Sequence, residues 1–138
     1  FWIVAFMNAY NFMDGANGLA ATAAIFGLSA LAVAIAASGD GASAGAAALM
    51  AASVFGFLPL NFPKGRLFLG DGGSQSIGFA IAAFAVFAAQ GEGAVSALFA
   101  PTAFMPFLFD VAFTLAHRAA RRRSLVEGHN EHLYQLLI

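Results

Sequence analysis

The sequence predicts an all-α, polytopic transmembrane helix bundle of four full spans and a partial N-terminal one, and three observations predict it. Hydrophobic residues fill 61% of the 138 positions and charged residues only 9%, an apolar excess and a charge deficit relative to soluble domains. Long runs without charge recur along the chain. The six Lys and Arg residues are gathered at Lys64, Arg66, Arg118 and Arg121 to Arg123 instead of being dispersed.

The chain opens on Phe1-Trp2-Ile3-Val4 with no initiator Met and no charged leader, so this start is not read as a signal peptide. Phe1 to Met7 is expected to be the end of a helix begun upstream. The apolar run Leu133 to Ile138 at the other end gives the matching expectation: residues 1–138 form one membrane domain, the C-terminal part of a longer protein cut at both ends.

Four runs then have the length needed to cross a hydrocarbon core of roughly 30 Å, about 17 to 25 helical residues. They are Leu19 to Ala37, Gly41 to Leu60, Ser74 to Gln90, and Ala94 to Ala116. Alanine keeps them helical. Their Ala and Gly content suits close helix packing in lipid, where van der Waals fit drives association. No run alternates polar and apolar residues as a membrane barrel strand does. In the last run Pro101 and Pro106 predict a bend or break.

Counting crossings puts three connections on one face: the segment after Met7, the loop Asn61 to Gly73, and the segment after Ala116. The short turns Ser38 to Asp40 and Gln90 to Gly93 lie on the other, carrying acids and no Lys or Arg. All the basic residues fall on the first face, and positive-inside bias makes it cytoplasmic. With a net charge of -1 and its cations at membrane edges, the chain is not expected to bind nucleic acid. Cysteine is absent, so any metal must take oxygen or imidazole ligands.

Three polar clusters carry the chemistry. In the first, Asn8, Asn11, Asp14 and Asn17 recur every three residues, a step that keeps side chains near one helix face. Amides offer donors and acceptors to a base edge, a ribose or a phosphate, and Asp14 can bind a hydroxyl or a hydrated metal. Equally, Asp14 and Asn17 can cap the following helix, which leaves Asn8 and Asn11 unaccounted for. The second cluster runs from Asn61 through Lys64, Arg66 and Phe68 to Gly70-Asp71-Gly72-Gly73-Ser74. Its glycines leave backbone open to a phosphate, and a helix beginning near Ser74 would aim its positive end at that anion. One carboxylate beside phosphates suits magnesium, and Phe68 can stack on a base. The alternative is an Asp or Ser cap after a Gly-rich turn.

The third cluster is His117, Arg118 and Arg121 to Arg123, followed by His129-Asn130-Glu131-His132-Leu133-Tyr134. Arginines after a span orient helices and meet anionic headgroups. His129 and His132 share a helical face and suit a diphosphate better than zinc, which wants more ligands. Asp110, inside the last apolar run four residues after Pro106, costs roughly 2.5 to 3.5 kcal/mol if it lies near a bilayer centre. Such a residue has a function or a buried partner.

Together these clusters resemble the polyprenyl-phosphate N-acetylhexosamine-1-phosphate transferases of cell-envelope synthesis. Asn8 to Ala20 is similar to the family's Asn-x-x-Asn-x-x-Asp-Gly-x-x-Gly-Leu-Ala segment. Asn61 to Ser74 is similar to its Asn-x-Pro and Phe-x-Gly-Asp-x-Gly-Ser stretch, and Pro106 to Asp110 with the His129-x-x-His132-Leu133-Tyr134-Gln135 tail to its last catalytic region. The tail looks closer to the O-antigen-initiating type than to the muramoyl-pentapeptide type.

The resemblance implies transfer of a sugar 1-phosphate from a UDP-sugar to undecaprenyl phosphate, releasing UMP, in a bacterial inner membrane. It implies that Asp71 binds Mg2+, with Mn2+ as a substitute, and that Asn11 and Asp14 hold the nucleotide or its diphosphate. Asn61 and Phe68 would contact uracil, and Asn8 and Asn17 are further substrate-binding candidates. His129 and His132, with Arg118 and Arg122, would serve the diphosphate and sugar. A homodimer is compatible with all of this.

Two departures stand out. Asn17 replaces an aspartate common in the family, keeping a hydrogen bond but no charge. The family's paired aspartates would precede Phe1, so this stretch alone is expected to be inactive. A transporter lined by Asp110 and the amides, or an inactive scaffold that binds polyprenyl carriers, are the competing readings.

Overall fold

The computed structural model describes residues 1–90 and 95–120. These form only helices: α1 (Trp2–Phe12), α2 (Leu19–Ala37), α3 (Gly41–Asn61), α4 (Gly70–Gln90), α5 (Phe99–Ala103) and α6 (Met105–Ala120). Among the described residues, α2, α3 and α4 are long and apolar enough to cross a membrane.

Helices α2 and α3 form a hairpin closed by a short turn, in which the Asp40 carboxylate accepts the Ser43 backbone N–H at 3.0 Å and caps α3. Hydrogen bonding from the Ser43 side chain first, and from its backbone N–H second, holds the Asp40 carboxyl below its usual range. The buried stripe of α2 runs Ala20, Ala24, Gly27, Leu28, Leu31, Ile35, and that of α3 runs Ala44, Ala47, Ala51, Val54. Both follow the spacing of one helix face. Small side chains let the two backbones approach, as apolar solvent demands.

Helix α4 packs against α1. A Cβ added at Gly78 would lie 2.9 Å from the Tyr10 Cβ and 3.0 Å from the Met7 Cα, so only glycine lets these helices meet. Tyr10 is almost wholly buried, and its hydroxyl donates to the Ala20 carbonyl, joining α1 to the start of α2.

The run expected to be one helix from Ala94 to Ala116 is instead two, parted at Phe104, so the described residues hold three long spans and a broken return. Proline explains the place. Pro106 has no N–H for the Thr102 carbonyl, and its ring would crowd that carbonyl in a continuous helix. Both Pro101 and Pro106 sit in the first turn of their own short helix, where a missing N–H costs nothing.

At the break the Phe104 ring turns inward. It meets Phe6 edge-on at 5.1 Å and Tyr10 at 6.4 Å and fills the notch left by Gly27, where a Cβ would stand 2.1 Å from its Cζ. Further along, Val111 packs with Ala9 and Met13. Helix α6 therefore runs in the same sense as α1, and both end at the same face.

Candidate functional site

That face also holds the start of α2, the end of α3 and the start of α4. There the loops 13–18 and 62–69 enclose a cleft of about 180 Å³ lined by Asn11, Asp14, Asn17, Asn61, Phe68, Gly70 and Asp71 among others. Residues as far apart as 11 and 71 thus meet at one helix-end surface.

Helix α4 begins at Gly70, four residues before the start expected near Ser74, because Gly70 turns the chain with φ +60°. Asp71 consequently lies in the first turn of α4, where the helix dipole favours its negative charge. Ser74 is wholly buried one turn later. Its hydroxyl contacts the Gly70 carbonyl at 2.9 Å and is hydrogen-bonded to the Asn11 side-chain amide. The reading of Asp71 or Ser74 as a helix cap is therefore set aside. So is that of Asp14 and Asn17, since the residue capping α2 is Gly18, which has no side chain with which to cap the helix.

Asp14 and Asp71 face the same cleft. Partial burial, helped by the charge of Asp71, pushes the Asp14 carboxyl up from 3.8 to about 6. Two neighbouring carboxyls, with the Asn11 amide beside them, are a donor set suited to a dication. The described residues contain no group of three or more His, Cys, Asp or Glu able to hold a metal. Magnesium, which keeps waters and takes substrate phosphates alongside one or two carboxylates, does not require one.

Asn61 lines the cleft, yet each end of its amide already makes a hydrogen bond within the protein. Its Oδ1 accepts the Gly18 N–H at 2.7 Å, its Nδ2 donates to the Leu67 carbonyl at 2.9 Å, and the residue is 4% exposed. Gly18 holds φ +80°, and a Cβ there would strike the Phe62 ring at 2.9 Å. Phe68 is 70% exposed at the cleft edge, its ring free to meet a planar ligand. Asn17 packs across the loops onto Gly65.

Of the residues singled out in the sequence, the structure brings together Asn11, Asp14, Asn17, Asn61, Phe68 and Asp71. Asn8 stands apart, exposed, its Nδ2 donating to the Val4 carbonyl of its own helix at 2.8 Å. Arg122, His129, His132 and the side chain of Arg118 lie outside the described residues. Asp110 and Thr114 are buried one turn apart on α6. Sequence reasoning missed Ser74 as a partner of Asn11 and the capping role of Asp40. A serine one turn into a Gly-rich helix start was the available signal for the first, and an acid two residues after Ser38 for the second.

The family model described as glycosyl transferase family 4 matches residues 1–89. A probable undecaprenyl-phosphate N-acetylglucosaminyl 1-phosphate transferase of Bacillus subtilis (strain 168) is 28% identical over 138 residues, covering 99% of this chain and 38% of its own length. A decaprenyl-phosphate N-acetylglucosaminephosphotransferase of Mycobacterium leprae (strain TN) is 32% identical over 158 residues, covering 98% of this chain and 39% of its own. A phospho-N-acetylmuramoyl-pentapeptide-transferase of Staphylococcus aureus (strain JH9) is 37% identical over 78 residues, 56% of this chain and 24% of its own. The chain therefore spans well under half the length of these relatives. No solved structure matches it.

Proposed function

Because the chain belongs to glycosyl transferase family 4, we propose that the native protein carrying it transfers a sugar 1-phosphate from a UDP-sugar to a polyprenyl phosphate in the membrane, releasing UMP. N-acetylglucosamine, named in two of the relatives, is the first sugar to test, and undecaprenyl phosphate the first acceptor. The observation that carries the reading is the cleft itself. Two carboxylates, amides and an exposed aromatic ring converge at the end of membrane-length helices, where a water-soluble nucleotide and a bilayer-dissolved lipid can both reach.

In this reading Asp71 holds magnesium, with manganese an alternative, and Asp14 and Asn11 hold the nucleotide diphosphate beside it. A bound dication supplies charge neutralisation for the diphosphate. Phe68 stacks on the base, and Asn17 hydrogen-bonds to the nucleotide from the facing loop. An oxygen of the polyprenyl phosphate bonds to the sugar-linked phosphorus. The bond from that phosphorus to the bridging oxygen breaks, and UMP leaves with the electron pair. Positioning and charge stabilisation account for most of such a transfer.

Lys64 and Arg66 lie in the loop 62–69 at this face. Positive-inside bias therefore orients the cleft to the cytoplasm of a bacterial inner membrane.

The test is UMP release from UDP-N-acetylhexosamines with undecaprenyl phosphate and magnesium, using the full-length native protein in detergent and its Asp71→Asn variant. Turnover by the parent and near-complete loss in the variant support the reading. Nucleotide binding without UMP release from any sugar would replace it with a polyprenyl-carrier-binding scaffold.

A further inference from the structure

The amide of Asn61 lies on the wall of the cleft, as a base-reading amide would, but one acceptor site and one donor of it are already engaged by the protein's own backbone. One end takes the Gly18 N–H at 2.7 Å from the loop after α1, and the other gives to Leu67 at 2.9 Å in the loop after α3. Burial to 4% exposure strengthens both bonds and makes their loss costly. The loop after α3 folds back on the same helix end, with the N–H groups of Arg66 and Leu67 both donating to the Leu60 carbonyl at 2.8 and 3.1 Å. Phe62 covers Gly18, and Asn17 meets Gly65 across the gap. Asn61 is therefore the side chain that joins, by directed bonds, the loop bearing Asp14 and Asn17 to the loop bearing Phe68.

We propose that Asn61 is a positioning residue rather than a base-contacting one: its amide clamps the two loops so that Asn17 and Phe68 stand at a fixed separation before nucleotide binds. The inference rests on the nucleotide-binding reading of the cleft, but its first test does not. A loose pair of loops must be ordered by the ligand at the expense of affinity, whereas a clamped pair is already arranged. Bound nucleotide can itself hold the loops together, so loss of the clamp raises KM for the UDP-sugar more than it lowers kcat.

The test is hydrogen exchange at the Gly18 amide in the full-length native protein in detergent, followed by UMP and CMP affinities. The wild-type Gly18 amide should exchange slowly without ligand. Asn61→Ala should speed it by about tenfold or more, as expected for a lost buried hydrogen bond. Asn61→Asp keeps an acceptor for Gly18 but sets an oxygen against the Leu67 carbonyl, so it should retain most of the Gly18 protection. Both nucleotides should weaken together in Asn61→Ala, leaving their ratio within about twofold of wild type.

Fast exchange at Gly18 in the wild-type protein overturns the clamp whether or not any variant folds. Unchanged Gly18 protection in Asn61→Ala, with the UMP preference over CMP lost, makes Asn61 a base reader instead. Failure of both nucleotides to bind the wild-type protein, with Gly18 protected through Asn61, removes the nucleotide reading while keeping the clamp.

Discussion

The hydroxyl of Ser74, one turn into α4, is hydrogen-bonded to the side-chain amide of Asn11 near the end of α1, and so the two helices that frame the cleft share a part-buried polar link. Ser74 is fully enclosed. Removing a buried partner leaves the other group unsatisfied, at about 1–3 kcal/mol. Ser74→Ala should lower thermal stability by an amount in that range and weaken UMP binding by letting Asn11 turn. In a double-mutant cycle with Asn11→Ala the two losses should fall short of additivity, read by melting and by calorimetric titration with UMP.

The acid pair gives a pH dependence whose sign can be worked out. In the folded, cation-free protein Asp14 binds its proton with a value of about 6, against 3.8 ordinarily. Between those values the folded state holds more protons than the unfolded one, so stability falls as pH rises. The benefit is complete below the ordinary carboxylate value and gone above about pH 6. Melting temperatures with chelator present should decline across this window. Asp14→Asn should flatten the decline and stabilise the cation-free protein at neutral pH, while added Mn2+ should move the titration downward by favouring the carboxylate.

Much of this site could be read from sequence because it is local. The three-residue steps from Asn11 to Asn17 and the Phe68 to Asp71 stretch each bring their own polar groups to one place, and charge-free runs set the bounds of α2 and α3. What escaped was long-range. The bond from Asn61 to Gly18 spans 43 positions and the one from Ser74 to Asn11 spans 63, and no periodicity encodes such pairs. Asn8 shares the amide spacing, but successive three-residue steps drift around a helix of 3.6 residues per turn. One step before Asn11 its side chain has already left the cleft.

Phe68 separates ligand binding from folding, since a ring that is 70% exposed contributes little packing. Phe68→Ala should leave the melting temperature within the range of ordinary surface substitutions, about ±0.5 kcal/mol. If the ring stacks on a nucleotide base, UMP affinity should fall by about tenfold, within the roughly 1–3 kcal/mol of one aromatic–base stack. Phe68→Trp should restore it. Unaltered UMP affinity in Phe68→Ala would exclude stacking.

The kink between α5 and α6 depends on a fit between one ring and one missing side chain. Phe104 occupies the space at Gly27, where an added Cβ would come within 2.1 Å of the ring tip, and the same ring rests on Phe6 and Tyr10. Neither side can yield without moving α1 or α2. Gly27→Ala should therefore destabilise the bundle by about 1–3 kcal/mol, the usual cost of overpacking. Phe104→Leu should lose stability on its own, because a smaller side chain leaves a void. Combined, the two should cost less than their sum, since the added methyl enters space the ring has vacated. Melting curves of the four proteins measure that coupling. Strict additivity would mean that Phe104 does not hold the break against α2, and that the prolines alone set the path of α6 to the cleft face.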